Sequence, residues 1–284
     1  PVDSFSTFNA GYDMLNGSVP FKDYWILKGI VLDIIQAGFF KIFGVSWFSY
    51  SIHASTFNSI FALATFYTLK KFNLDIKYSF FYSILASILM YPTYGIPFTD
   101  HSTAIFCMLS IYSLCLAIKL NKYVYWFLIP ILMFLAFFTK QAPTGYFGIL
   151  IIIISSLYLI LNSKKEIYFF GTLGIVLSIG TFLLYVFLNE ISFDDIIVQY
   201  FLYPMSLGET RLEWLFPIEI QRLVFRHKLI YLALSVPIFL LFKSIFKNFL
   251  SILEKENLIF LLLLGTLFIF IIHQLMTING LYIF

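Results

Sequence analysis

Stretches of about twenty apolar residues recur along this chain, and they restrict the environment in which it can fold. An α-helix rises 1.5 Å per residue, so about 20 apolar residues cross a hydrocarbon core of roughly 30 Å. Eight such runs lie between charged punctuation, at approximately 47–69, 78–97, 101–118, 123–139, 143–162, 167–189, 229–247 and 258–277. The few ionisable residues within them, His53, His101, Lys243 and His273, lie nearer ends than centres. Charged residues make up only 12% of the chain, against roughly 25% in a soluble globular domain, which excludes an ordinary soluble enzyme. Inside a bilayer each backbone polar group must be satisfied within its own segment, so the expected fold is all-α: a polytopic membrane protein with about eight transmembrane helices.

Lysine placement orients these helices, because short loops rich in Lys and Arg stay in the cytoplasm. One alternating set of loops and helix ends, from Lys70 and Lys71 to Lys255, holds ten lysines against four acids, a balance of +6. The opposite set holds eight bases against eleven acids, a balance of −3. The chain therefore begins on the extracytoplasmic side, which implies a preceding span, and its last run ends there too, which implies a truncated C-terminus. Four regions follow: a first outer loop (1–46), six transmembrane helices (47–189), a second large outer loop (190–228), and two further helices (229–284).

Residues 28–46 are apolar, yet Asp33, Gln36 and Lys41 fall on one arc at 100° per residue, as expected for a helix lying in the membrane interface. Asp3 or Ser4 is placed to cap a shorter helix ending near Gly17. The first loop is thus read as two juxtamembrane helices, and function is expected where the two outer loops meet. Cys107 and Cys115 both lie in an apolar run, where a thiol behaves as a small hydrophobe. The net charge of +3 is small and its lysines are dispersed, which argues against nucleic acid as a partner.

Several short motifs punctuate this frame: Asp3-Ser4, Asp23 and Lys28-Gly29, Phe43-Gly44, Asp100-His101 at the head of one apolar run, and Thr139-Lys140 at the end of another. Taken singly, each has a plain structural explanation: Asp3 a helix cap, Asp23 with Lys28 a solvated pair, Asp100 with His101 a helix terminus. In this order and spacing they resemble the GT-C superfamily of membrane glycosyltransferases, in particular the group of protein O-mannosyltransferases and the lipid A aminoarabinose transferase. The resemblance covers most of the chain. It implies an extracytoplasmic catalytic Asp at Asp3, a donor-binding lysine at Lys28, and supporting residues at Asp100 and Lys140. Two departures stand out: Ser4 where the family often has Glu, and Gly29 where it often has Pro.

The chemistry that the resemblance implies is transfer of sugar from a polyprenyl-phosphate donor to a hydroxyl of a lipid, glycan or protein acceptor. It needs a base for the acceptor, here Asp3, and a cation for the departing phosphate, here Lys28 at headgroup depth. Asp23, Asp100, His101, Lys140, Arg222 and Arg226 complete the expected substrate-binding set. No cofactor is required; with Ser4 in place of Glu, any divalent metal is weakly bound. The implied location is a bacterial plasma membrane. The rival readings are a transporter or lipid-linked-sugar flippase, which would carry internal repeats and charged midplane sites, and a noncatalytic scaffold. No convincing repeat is present, and Pro130 and Pro237 do not occupy equivalent positions.

Overall fold

The computed structural model describes residues 2–26, 28–92, 95–212 and 228–277, apart from the side chains of 2–4, 208–212, 247, 249 and 275–277. Apart from an isolated bridge between Pro20 and Tyr24, the regular structure of the described part is helical. In chain order the helices are α1 (Val2–Leu15), α2 (Val31–Phe43), α3 (Trp47–Lys71), α4 (Ile76–Met90), α5 (Thr99–Leu120) and α6 (Tyr123–Phe137). They continue with α7 (Gln141–Leu161), α8 (Lys165–Leu188), α9 (Phe193–Ile197), α10 (Tyr203–Leu212), α11 (Lys228–Lys247) and α12 (Lys255–Thr277). A π-helical turn, Val198–Leu202, joins α9 to α10.

Each of the eight apolar runs coincides with one helix, α3 to α8, α11 and α12. Five of these, α5, α7, α8, α11 and α12, are long and apolar enough to cross a membrane. The other three depart for separate reasons. The 25 residues of α3 are diluted by Ser, Thr, Asn and His. Helices α4 and α6 have 15 residues each, about 22 Å at the helical rise. The run at 78–97 overestimated α4 because Pro92 and Pro97 prevent helical continuation after Met90.

Helix α5 is the centre of the bundle, buried on nearly every face, with Cys107, Ile111, Leu114 and Ala117 fully enclosed. It packs on α6 most extensively and also on α3, α7 and α12. Close approach is secured by small residues: a Cβ at Gly174 of α8 would meet the Phe127 carbonyl oxygen of α6 at 2.4 Å. Outward faces are apolar, as on α11, where Leu229, Leu232 and Phe239 are each about two-thirds exposed. Hydroxyls within the helices are satisfied locally: Thr65, Thr103, Ser178 and Thr266 each donate to the carbonyl four residues earlier.

The first loop forms the two short helices its pattern predicts. Helix α1 ends before Gly17, whose φ of +96° favours glycine. It packs closely on α2, where a Cβ at Gly11 would sit 2.7 Å from Gln36 Cγ. The polar arc of α2 is only partly wet. Lys41 is exposed, but Asp33 and Gln36 are buried, Gln36 completely. Gln36 Oε1 lies 2.8 Å from His53 Nδ1 of α3, and Phe39 stacks on that imidazole at 5.0 Å. Gln36, expected to meet water, instead faces α1 and α3, the two elements packed on α2.

Candidate functional site

The connector between α1 and α2, residues 16–30, is fixed from two sides. Gly29 N–H donates to the Thr139 carbonyl at 3.0 Å and Val31 N–H to the Phe138 carbonyl at 3.1 Å. This docking explains the glycine. A Cβ on residue 29 would fall 1.5 Å from the Phe138 carbonyl oxygen, so no other residue fits without displacing the backbone. From the other side Gln199 grips the connector with both ends of its amide, accepting from Ile26 N–H at 2.9 Å and donating to the Phe21 carbonyl at 2.9 Å.

The π-helical turn makes this grip possible. An extra residue per turn rotates the side chains that follow it, and here the consecutive Gln199 and Tyr200 both point inward. Tyr200 stacks on Phe138 at 5.2 Å with rings 3° from parallel, and its hydroxyl donates to the Phe137 carbonyl. Phe21 meets Tyr200 edge-on, and Trp25 meets Tyr203 edge-on at 5.8 Å. The segment between α1 and α2 therefore meets the one around the π turn, the two regions expected from sequence to come together.

Beside this junction a cavity of about 270 Å³ opens between α1, the connector and the start of α2. Lys28 lines it and donates to Ser6 Oγ of α1 at 2.5 Å. Asp33 forms part of the wall and is only 8% exposed. Its burial pushes the carboxyl pKa up to about 8, although the Lys28 ammonium and Tyr24 hydroxyl draw it down. The buried Tyr24 hydroxyl stands near Asp33 without reaching good hydrogen-bond geometry, and its own pKa is raised, by burial first and by Asp33 next. Asp13 and Asn9 of α1 and the half-exposed Trp25 complete the lining.

Across the docked backbone lies a second charged group. Lys140, immediately after Thr139, forms an ion pair with Asp100 in the first turn of α5. His273 Nε2 of α12 is 3.8 Å from the same carboxylate oxygen. The helix N-terminus at α5 adds favourable dipoles to the Asp100 charge. His101 is buried beside Asp100, its ring edge-on to Phe98.

Two of the expected site residues, Lys28 and Lys140, are thus brought to either side of one backbone contact, and Asp100 and His101 join them at the Lys140 side. Asp23 does not line the cavity: its carboxylate accepts from Val19 N–H at 2.6 Å and closes an exposed turn. Asp3 falls in the first turn of α1, inside the helix rather than at its cap, and its side chain lies outside the described residues. Arg222 and Arg226 also lie outside them. Among the described residues no three His, Cys, Asp or Glu side chains converge as metal ligands. Ser6, Asp33 and Gln199 were not singled out as site residues. Asp33 had a signal, an acid on an apolar helix five positions after Lys28, whereas the reach of Gln199 depends on a π turn that leaves no pattern in the sequence.

Neither a family model, a curated protein nor a solved structure matches this chain.

Proposed function

We propose that this protein is a membrane glycosyltransferase of GT-C type, which transfers sugar from a polyprenyl-phosphate donor to a hydroxyl acceptor on the extracytoplasmic face. In this reading all eight long helices span the bilayer, with the two shortest accommodated by local thinning. Their lysine-rich ends face the cytoplasm. The observation that carries the proposal is the docking of Lys28-Gly29 onto Thr139-Lys140. It joins two of the motifs on which the family resemblance rests, more than a hundred residues apart in sequence, at the edge of one cavity.

The chemistry assigns each residue a task. The acceptor oxygen attacks the anomeric carbon as the bond to the phosphate oxygen breaks, with inversion. Asp3 takes the acceptor proton, and Lys28 meets the charge growing on the departing polyprenyl phosphate. Trp25 offers an exposed aromatic face for a sugar ring. Paired with Asp100, Lys140 contributes by holding the end of α6 against α5.

The test is incubation of the purified full-length protein with radiolabelled polyprenyl-phosphate sugars and an acceptor panel. Sugar release or transfer is expected. Asp3→Asn should lower turnover by roughly 10²–10⁴-fold, the usual contribution of a general base, while the amide preserves helix-terminal hydrogen bonding. Vectorial movement of intact donor across proteoliposomes without transfer would instead identify a flippase.

A further inference from the structure

We propose that Asp33 is a further ligand-binding residue of the cavity: its protonated carboxyl, beside Lys28, receives the phosphate group, so that phosphate binding requires the proton on Asp33. This inference rests on reading the cavity as a polyprenyl-phosphate site.

Three observations carry it. Asp33 is a wall of the cavity and almost fully buried, so a charge there has little water to spread into. Among the described residues, the charged and titratable groups that face it are Lys28 and Tyr24 of the connector, with Tyr50 of α3 and Tyr185 of α8 further off, and Asp13 of α1 acting on Tyr24. Among these described groups only Lys28 is cationic. The Lys28 ammonium is held toward the cavity by Ser6 from the opposite wall.

A phosphate that reaches Lys28 therefore arrives next to Asp33 as well. Two anions a few ångströms apart in a desolvated wall repel strongly, whereas the acid form offers an O–H that donates to a phosphate oxygen. Burial already holds the acid form at neutral pH, with the pKa near 8. The sign follows. Above that pH the empty cavity holds a carboxylate, which must regain its proton before the anion binds, so affinity falls by up to tenfold per pH unit.

The experiment is titration of detergent-solubilised full-length protein with farnesyl phosphate from about pH 7 to about pH 9.5. Over this range the phosphomonoester is dianionic, with a second pKa of about 6. The expected wild-type Kd is level up to about pH 8 and rises above it. Asp33→Asn, whose amide mimics the neutral acid, is expected to bind at pH 7 within about threefold of wild type and to show no rise. A level wild-type profile, or the same rise in Asp33→Asn, overturns the role of Asp33 and leaves the phosphate site standing. Absence of wild-type binding at every pH, or binding undiminished in Lys28→Ala, rejects the phosphate site and this inference with it. If Asp33→Asn fails to fold, Asp33→Ser, which also lacks a titrating group, takes its place and the same outcomes decide.

Discussion

Lys28 and Lys140 lie on either side of the same two backbone hydrogen bonds, yet their surroundings differ. Lys140 is closed off by Asp100, with His273 against the same carboxylate. Lys28 lines an open cavity and leans on the neutral Ser6 hydroxyl, with a carboxyl nearby that burial keeps protonated at neutral pH. A lysine fully engaged by a carboxylate has its charge neutralised in place and serves to join helices. Lys28, in the wall of the cavity, is placed to meet an incoming anion. The contrast shows that two lysines of equal motif value in sequence separate into different tasks once the surroundings they face are known.

The contrast depends first on the docked backbone. Gly29→Ala should have the largest effect, because its Cβ would collide with the Phe138 carbonyl and both docking hydrogen bonds would have to open. A loss of about 3–5 kcal/mol is expected, in the range reserved for forced backbone displacement. Thermal unfolding in detergent measures it; a wild-type midpoint would show that the connector does not rest on α6.

Gln199→Ala should come next. It strands the Ile26 N–H and the Phe21 carbonyl in a buried place, at about 1–3 kcal/mol each. Hydrogen exchange should then rise across residues 19–30 and leave α5 protected. Uniform exchange over both regions would mean that the two connecting segments do not form a separate clamp.

Asp100→Asn should have the smallest effect. The side chains of Lys140 and Asp100 are 25% and 16% exposed, so the pair is part-screened and its loss should cost only about 1–2 kcal/mol. A double-mutant cycle with Lys140→Met isolates the pair, and a coupling energy near zero would dissolve the distinction drawn here.

Much of this arrangement was legible in the sequence because hydropathy is a long-range average and tolerates local error. The heads of α5 and α12 fell within a few residues of Thr99 and Lys255. Helix α4 was overestimated where two prolines interrupt an apolar run. The meeting of these two connecting segments could be anticipated from charge and aromatic content, but not the atoms that join them. Asp33 illustrates the limit. Its position on the polar arc of α2 was evident, yet whether that arc faces water or protein depends on α1 and α3, elements distant in sequence. Gly29 looked like a departure from a family pattern; its necessity lies in the carbonyl of residue 138, which no local pattern reveals.

The most direct test of the account is side-by-side binding of one polyprenyl phosphate to Lys28→Ala and Lys140→Ala. Removing a charge-assisted hydrogen bond is worth about 1.5–3 kcal/mol, so Lys28→Ala should weaken binding by roughly 10- to 150-fold with little change in the unfolding midpoint. Lys140→Ala should lower the midpoint and leave affinity within about threefold. The opposite assignment, with affinity lost in Lys140→Ala and kept in Lys28→Ala, would contradict the account.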